Sequence, residues 1–434
     1  MTWKHVDNCC FGIRRRLLFC RARQSHAMRA VSDGLTDAPA PVPESIQLRS
    51  ECDTVYDRNG DIVEVMCCDY GFRSGTRRMY QEGFGEIPLS AWELGIENFR
   101  AELKALRRSV RFDEYRRISQ QNPAQSPLGK LGYWIGGYVV GGLAKLDKAL
   151  EDREIFEEIG PELIEAIEDS EDEENQACAE ILAKIRLLKL DNAAIWQRER
   201  KREKAGGGID TSLPVKGAYL LLCTALDVLY NNRPVQRFWF LEVIARMPYF
   251  SYISMLHLYE SLGWWRAGAE LRKVHFAEEW NELHHLQIME SLGGDRNWID
   301  RFLAQHTAII YYWVLLLFYL FSPENAYNFS ELIEAHAVDT YGEFVDSNAD
   351  MLKALPAPSV AAQYYVGNDI YMFDAFQTNK AVQPRRPQCS TLYDVFCNIR
   401  DDEMEHVNTM RACQDTSIAS DLEQRRQPRT PEDD

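Results

Sequence analysis

The sequence predicts an all-α protein whose functional half is a four-helix bundle with additional apolar helices. Three observations predict it. Residues 209–414 carry helical periodicity in successive segments, roughly 213–231, 235–262, 265–292, 298–322, 325–353 and 391–413. Two Glu-x-x-His units recur at the same spacing, Glu282/His285 in WNELHHL and Glu403/His406 in NIRDDEMEH. Two further helices each offer a candidate glutamate, Glu242 in the apolar stretch FWFLEVIARMPYF and Glu334 in SELIEAHAVDTYGEF, one helix after the long apolar run.

The elements follow in order along the 434 residues. The first 40 are rich in arginine (Arg14, Arg15, Arg16, Arg21, Arg23, Arg29), with Asp7 the only acid before Asp33, the pattern of an organelle transit peptide. APAPVP at 39–44 is a linker, and 41–127 shows no clear period and receives no chemistry. The Gly-rich apolar run GKLGYWIGGYVVGGLAKL (129–146) lacks the spacing of phosphate loops and is expected to be a flexible hydrophobic connector. Residues 147–204 are helical and strongly charged, the composition of a solvated arm, and AGGG at 205–208 marks a boundary. The last twenty residues, 415–434, have the composition of a disordered tail.

Charge and cysteine usage exclude several classes. A net charge of −17, concentrated in residues 151–175, argues against nucleic acid as a partner, because phosphate binding needs a basic surface. Eleven cysteines without a CxxC pair point to reduced thiols rather than a disulfide framework or a zinc site. The run AIIYYWVLLLFYLF (308–321) is fourteen residues without a charge, short for a spanning helix. With the apolar segment 217–230, it fits either a helix pair lying in one leaflet or ordinary core helices.

The histidine spacing carries the chemistry. On a helix Glu282 and His285 share a face, whereas His284 is turned about 100° away. One such unit is often a solvated pair. Two of them, with lone glutamates on two other helices, make a ferritin-like di-iron carboxylate site. The order Glu242, Glu282/His285, Glu334, Glu403/His406, with glutamates 40, 52 and 69 residues apart, leaves room for helix, turn and helix each time. Four carboxylates balance two ferrous ions, and carboxylate with imidazole suits iron or manganese better than zinc. Metal-bound histidines usually donate their second N–H, and Asn281 and Asp402, beside Glu282 and Glu403, are placed to supply such bonds.

FLEVIARMPYF, WNELHHL, EAHAVDTY and NIRDDEMEH resemble the four ligand motifs of the plastid terminal oxidases, membrane-bound di-iron quinol oxidases related to mitochondrial alternative oxidases. The resemblance covers about 213–414. The EAHA motif and the segment PAPSVAAQYYVGNDIYMFDAFQT (356–378) favour the plastid branch. It implies that the six residues ligate two irons, that Tyr341 is a redox-active tyrosine near the metals, and that Arg237, Leu241, Ala337 and Thr340 line a quinol pocket. It further implies monotopic binding to one leaflet of the thylakoid membrane, pairing into a homodimer, and oxidation of plastoquinol by O₂ to give water without proton pumping. The alternatives are a mitochondrial-type ubiquinol oxidase, a ferritin-like iron-binding protein and a di-iron hydroxylase.

Overall fold

Helix ends follow local chemistry. The computed structural model describes residues 55–66, 89–112, 114–121, 127–160, 173–266, 268–367, 371–377 and 384–415. The expected transit peptide and C-terminal tail (from residue 416) lie outside the described residues, as does much of the acidic run. Helices α1 (Ala91–Arg111), α2 (Glu114–Gln121) and α3 (Pro127–Glu151) come first. Then follow α4 (Glu173–Arg186), α5 (Asn192–Arg202) and α6 (Leu213–Leu229). The bundle helices are α7 (Pro234–Ser261), α8 (Ala269–Ser291), α10 (Pro323–Lys353) and α13 (Leu392–Ala412). Helix α9 (Trp298–Phe321) lies between them in sequence, and α11 (Ser359–Val366) and α12 (Tyr371–Phe376) precede α13. The strand content among the described residues is one two-residue hairpin, β1 (Val55–Tyr56) against β2 (Ile62–Val63).

Proline at the first turn opens α7 and α10, where its missing N–H costs nothing. Ser322 caps α10 by accepting from the Asn325 amide. A reciprocal Thr391–Asp394 box caps α13. Gly293, at φ 81°, closes α8 in the left-handed conformation that an L side chain resists.

Within the bundle α7 packs on α8 and α10 on α13. The seam is aromatic: Phe238 stacks on Tyr341 at 4.3 Å between ring centres, and Phe344 meets Phe396 at 4.7 Å. Helix α9 covers α7, and Val215, Tyr219 and Cys223 of α6 pack in one cluster with Leu315 of α9 and with Phe329 and Leu332 of α10. These six helices match the six segments expected from periodicity to within a few residues.

Three expectations fail. The Gly-rich run is not a connector but the body of the 25-residue helix α3. Glycine costs a helix about 1 kcal/mol per residue, and tertiary contacts override that here. Arg107 and Arg111 of α1 pair with Asp147 and Glu151 at its end. Tyr115 donates to the Tyr133 carbonyl and lies where a side chain at Gly136 would have to be. The end of the charged segment, α5, is not a solvated arm either. Helix α5 docks on α10 through Arg198–Asp346 and Arg202–Asp339, because its charges have partners across the interface. Cys178 is disulfide-bonded, against the expectation of reduced thiols, while Cys223, Cys389, Cys397 and Cys413 are free.

Candidate metal centre

The four bundle helices bring the six predicted residues to one point. Glu242 comes from α7, Glu282 and His285 from α8, Glu334 from α10, and Glu403 and His406 from α13; all are at most 3% exposed. Two groups of ligand atoms form, each with its members within 4.8 Å of one another: Glu242, Glu282, His285 and Glu403, and Glu282, Glu334, Glu403 and His406. Glu282 and Glu403 belong to both, so they stand between two adjacent cation positions. The Nδ1 atoms of both histidines face the carboxylates, His406 at 2.9 Å from Glu282 and His285 at 3.4 Å from it.

The donor set fits metal better than it fits a self-contained polar network. Glu242 Oε2, both Glu282 oxygens and His285 Nδ1 are buried and make no hydrogen bond. Such atoms each cost about 1–3 kcal/mol unless something satisfies them. The electrostatics agree. Burial, reinforced by the charge of Glu282, pushes the Glu242 carboxyl well above its usual range. Burial and then Glu403 do the same to Glu334. Burial also opposes ionisation of Glu282 and Glu403, but the flanking imidazoles of His285 and His406 outweigh it and hold both below the usual range. Four carboxylates cannot all ionise together in a dry core without cations.

Asp402 organises the next layer of contacts. Its Oδ2 accepts from His285 Nε2 at 3.0 Å, from Asn281 at 3.0 Å and from Tyr365 at 2.7 Å, and Arg385 pairs with its other oxygen. That fixes the His285 ring so that Nδ1 points at the cluster. Asn281 reaches no histidine; it donates to Asp402 and to the Tyr364 hydroxyl at 2.7 Å. Tyr364 and Tyr365 come from α11, within the segment flagged at 356–378, to which sequence reasoning gave no task. His284 lies outside the cluster, bonded to the Trp280 carbonyl and stacked on Tyr364 at 4.1 Å between ring centres.

Tyr341 donates to Glu242, and Tyr249, which the sequence reading missed, donates to Glu334 at 2.8 Å. The one signal for Tyr249 was its place seven residues after Glu242, two helical turns along the same face. Burial and nearby carboxylates raise both phenols, so they stay neutral donors. Above the cluster runs a slender apolar cavity lined by Leu241, Ala337, Ile244, Pro248 and Tyr311, with Glu242, Glu334 and Glu403 at its floor. Two of the four expected pocket residues, Leu241 and Ala337, line it. Arg237 and Thr340 are not in its wall. Arg237 is fully buried one turn before Leu241, held by Asn192 and Asp227 at 2.8 Å each, and Thr340 bonds the His336 carbonyl.

Comparison with known proteins is consistent with this geometry. Residues 212–415 match the family described as alternative oxidase. Ubiquinol oxidase 4, chloroplastic/chromoplastic, of Arabidopsis thaliana is 56% identical over 189 residues, 44% of this chain and 54% of that protein. Mitochondrial ubiquinol oxidase of Mangifera indica is 25% identical over 205 residues, 46% of this chain and 56% of its own. Ubiquinol oxidase 1b, mitochondrial, of Oryza sativa subsp. japonica is 26% identical over 216 residues, 49% and 56% respectively. The chain spans about half the length of these curated relatives. Through residues 212–415, a four-helix carboxylate bundle that makes up a little under half of the chain, the protein is similar to the alternative oxidase family.

Proposed function

We propose that this protein is a plastid quinol oxidase. It oxidises plastoquinol, reduces O₂ to water without pumping protons, and works as a homodimer bound to one leaflet of the thylakoid membrane. The observation that carries the reading is the buried Glu₄His₂ cluster lying at the floor of an apolar cavity. The plastid assignment rests on the 56% identity to a protein named as chloroplastic, against 25–26% to those named mitochondrial.

Glu242, Glu282, His285 and Glu403 would hold one iron, and Glu282, Glu334, Glu403 and His406 the other. Bound there, a pair of irons supplies the one-electron steps that join a two-electron donor to a four-electron acceptor. The chain's own residues prepare that chemistry. Asp402 fixes the His285 ring, and Tyr341 and Tyr249 hold hydrogen bonds on Glu242 and Glu334. Leu241 and Ala337 give the cavity beside the cluster apolar walls, which favour an apolar ring over water.

The membrane reading rests on α9. It is long and apolar enough to cross a membrane, yet less than a quarter of its most apolar stretch is buried within the protein. Ile310, Trp313, Leu317 and Phe321 stand exposed at helical spacing, and α6 adds exposed Leu213, Leu220, Leu221 and Val228. A face of that size on a helix packed along its other side suits one leaflet better than a span. The test is quinol-dependent oxygen uptake by iron-loaded protein, insensitive to cyanide, comparing plastoquinol and ubiquinol analogues. Bound iron without uptake overturns the oxidase reading. Preference for ubiquinol overturns the plastid one.

A further inference from the structure

We propose that Glu199, outside the segment shared with the family, fixes the tautomer of His336 so that the cavity accepts a hydrogen bond from a quinol hydroxyl and offers none to a quinone. The proposal rests on the quinol-oxidase reading and adds a basis for telling substrate from product.

Helix α5 carries Asn192, Trp196, Glu199 and Arg202, spaced so that all four share one face. Each reaches into the domain that follows. Asn192 accepts from Arg237, and the Trp196 indole donates to Asp227 at 2.7 Å. Arg202 donates to Asp339 at 3.0 Å, and Glu199 meets His336 Nδ1 at 3.1 Å. Glu199 is 4% exposed and also accepts from the Tyr219 hydroxyl at 2.6 Å. Burial opposes its charge, but the bonds from His336 and Tyr219 win, so it is a carboxylate. The Trp196 ring, 5.1 Å from the imidazole, limits its movement.

The Tyr219 hydroxyl, whose proton goes to Glu199, also presents its oxygen 3.1 Å from Nδ1, so both neighbours accept there. In the neutral ring the His336 proton therefore sits on Nδ1 and the lone pair on Nε2. Nε2 is buried and has no partner, and His336 lines the apolar cavity beside Ala337 and Tyr341. A buried acceptor left open costs about 1–3 kcal/mol, so a hydroxyl that satisfies it gains affinity. The two redox forms of the substrate differ at this point. A quinol presents O–H and donates to Nε2; a quinone presents a carbonyl oxygen, whose lone pairs meet another lone pair. A site built to bond a hydroxyl rejects the analogue that lacks it, which here means that product leaves and does not compete.

The experiment compares wild type and Glu199→Gln, full-length and iron-loaded. It measures quinol KM, the inhibition constant of the matching quinone, and iron content. The amide that replaces the carboxylate in Glu199→Gln can donate to Nδ1, which releases the proton to Nε2 and turns it into a donor. The ratio of quinone inhibition constant to quinol KM should fall by about tenfold, the value of roughly one hydrogen bond. Iron content should hold, and Glu199→Asp should restore the ratio. Equal changes in both constants, or none, overturn the proposal, since a purely structural role would move them together. If Glu199→Gln does not fold, His336→Phe removes the acceptor itself, and a quinol preference that persists there overturns it equally. If the wild type turns over no quinol, the oxidase reading fails. Anaerobic binding of quinol and quinone, read by protein fluorescence, then tests the hydroxyl preference alone, and equal affinities would overturn it.

Discussion

Replacing Asp402 with Asn tests whether the cluster is built as described. Asp402 is fully buried and accepts from His285, Asn281 and Tyr365, with Arg385 paired to its second oxygen. Asparagine keeps the shape but removes the charge and turns one acceptor oxygen into an NH₂ donor. Two effects follow. One donor, Arg385 or the group of three on Oδ2, must face an amide N–H and lose its bond. His285 also loses the carboxylate that sets its tautomer and raises the basicity of Nδ1. Loss of such a partner typically weakens metal binding by about 10–100-fold, or roughly 1.4–2.7 kcal/mol. Breaking the Arg385 pair adds to the cost, toward or below the lower end of the about 3–5 kcal/mol seen for buried pairs, since Arg385 keeps partial solvent contact. The assay is iron titration against a competing chelator, with thermal unfolding of the metal-free protein as the control. Asp402→Asn that folds and binds iron as tightly as wild type refutes the argument that Asp402 orients His285.

Four further outcomes follow from the same geometry. Glu282 belongs to both ligand groups, so Glu282→Ala should lose both irons, whereas Glu334→Ala should spare the position that excludes it; equal iron in both variants contradicts the sharing. In the metal-free protein, stability should fall as pH rises from 5 to 8. Glu242, Glu334, His285 and His406 all have raised pKa values, so the folded state holds protons that the unfolded state releases above about pH 4.3 for glutamate and 6.5 for histidine. Glu282 and Glu403, shifted down, contribute a constant amount across that window. Iron loading should flatten the dependence, and a Tm that climbs with pH without metal refutes the assignment of directions. Ile310→Ser with Leu317→Ser should reduce co-sedimentation with lipid vesicles by about tenfold or more, at roughly 1–2 kcal/mol per side chain, and leave iron content unchanged. Finally, Tyr341→Phe removes the donor to Glu242 and a buried hydroxyl, so quinol oxidation should drop while iron remains; full activity would exclude Tyr341 from the chemistry.

The sequence by itself determined the bundle and the six carboxylate and imidazole residues that converge in its core. Helical period placed the six helices, and the three-residue spacing put Glu282 with His285 and Glu403 with His406, because a helix turns so regularly that spacing alone defines a face. It also singled out Asp402, which accepts from His285, whereas Asn281, expected to bond a histidine, bonds Asp402 and Tyr364 instead. Contacts across large sequence distances were not legible. Tyr365 and Arg385 converge on Asp402, Tyr249 reaches Glu334 across 85 residues, and Glu199 meets His336 across 137. No local pattern encodes which residue lies opposite which once helices pack. The two misread segments fail for the same reason. Glycine content suggested a connector at 129–146 and charge suggested a solvated arm at 147–204, but local propensity is worth only about 1 kcal/mol per residue. Arg107 and Arg111 on Asp147 and Glu151, and the partners of α5 on α6, α7 and α10, outweigh it, and those partners exist only in the folded chain.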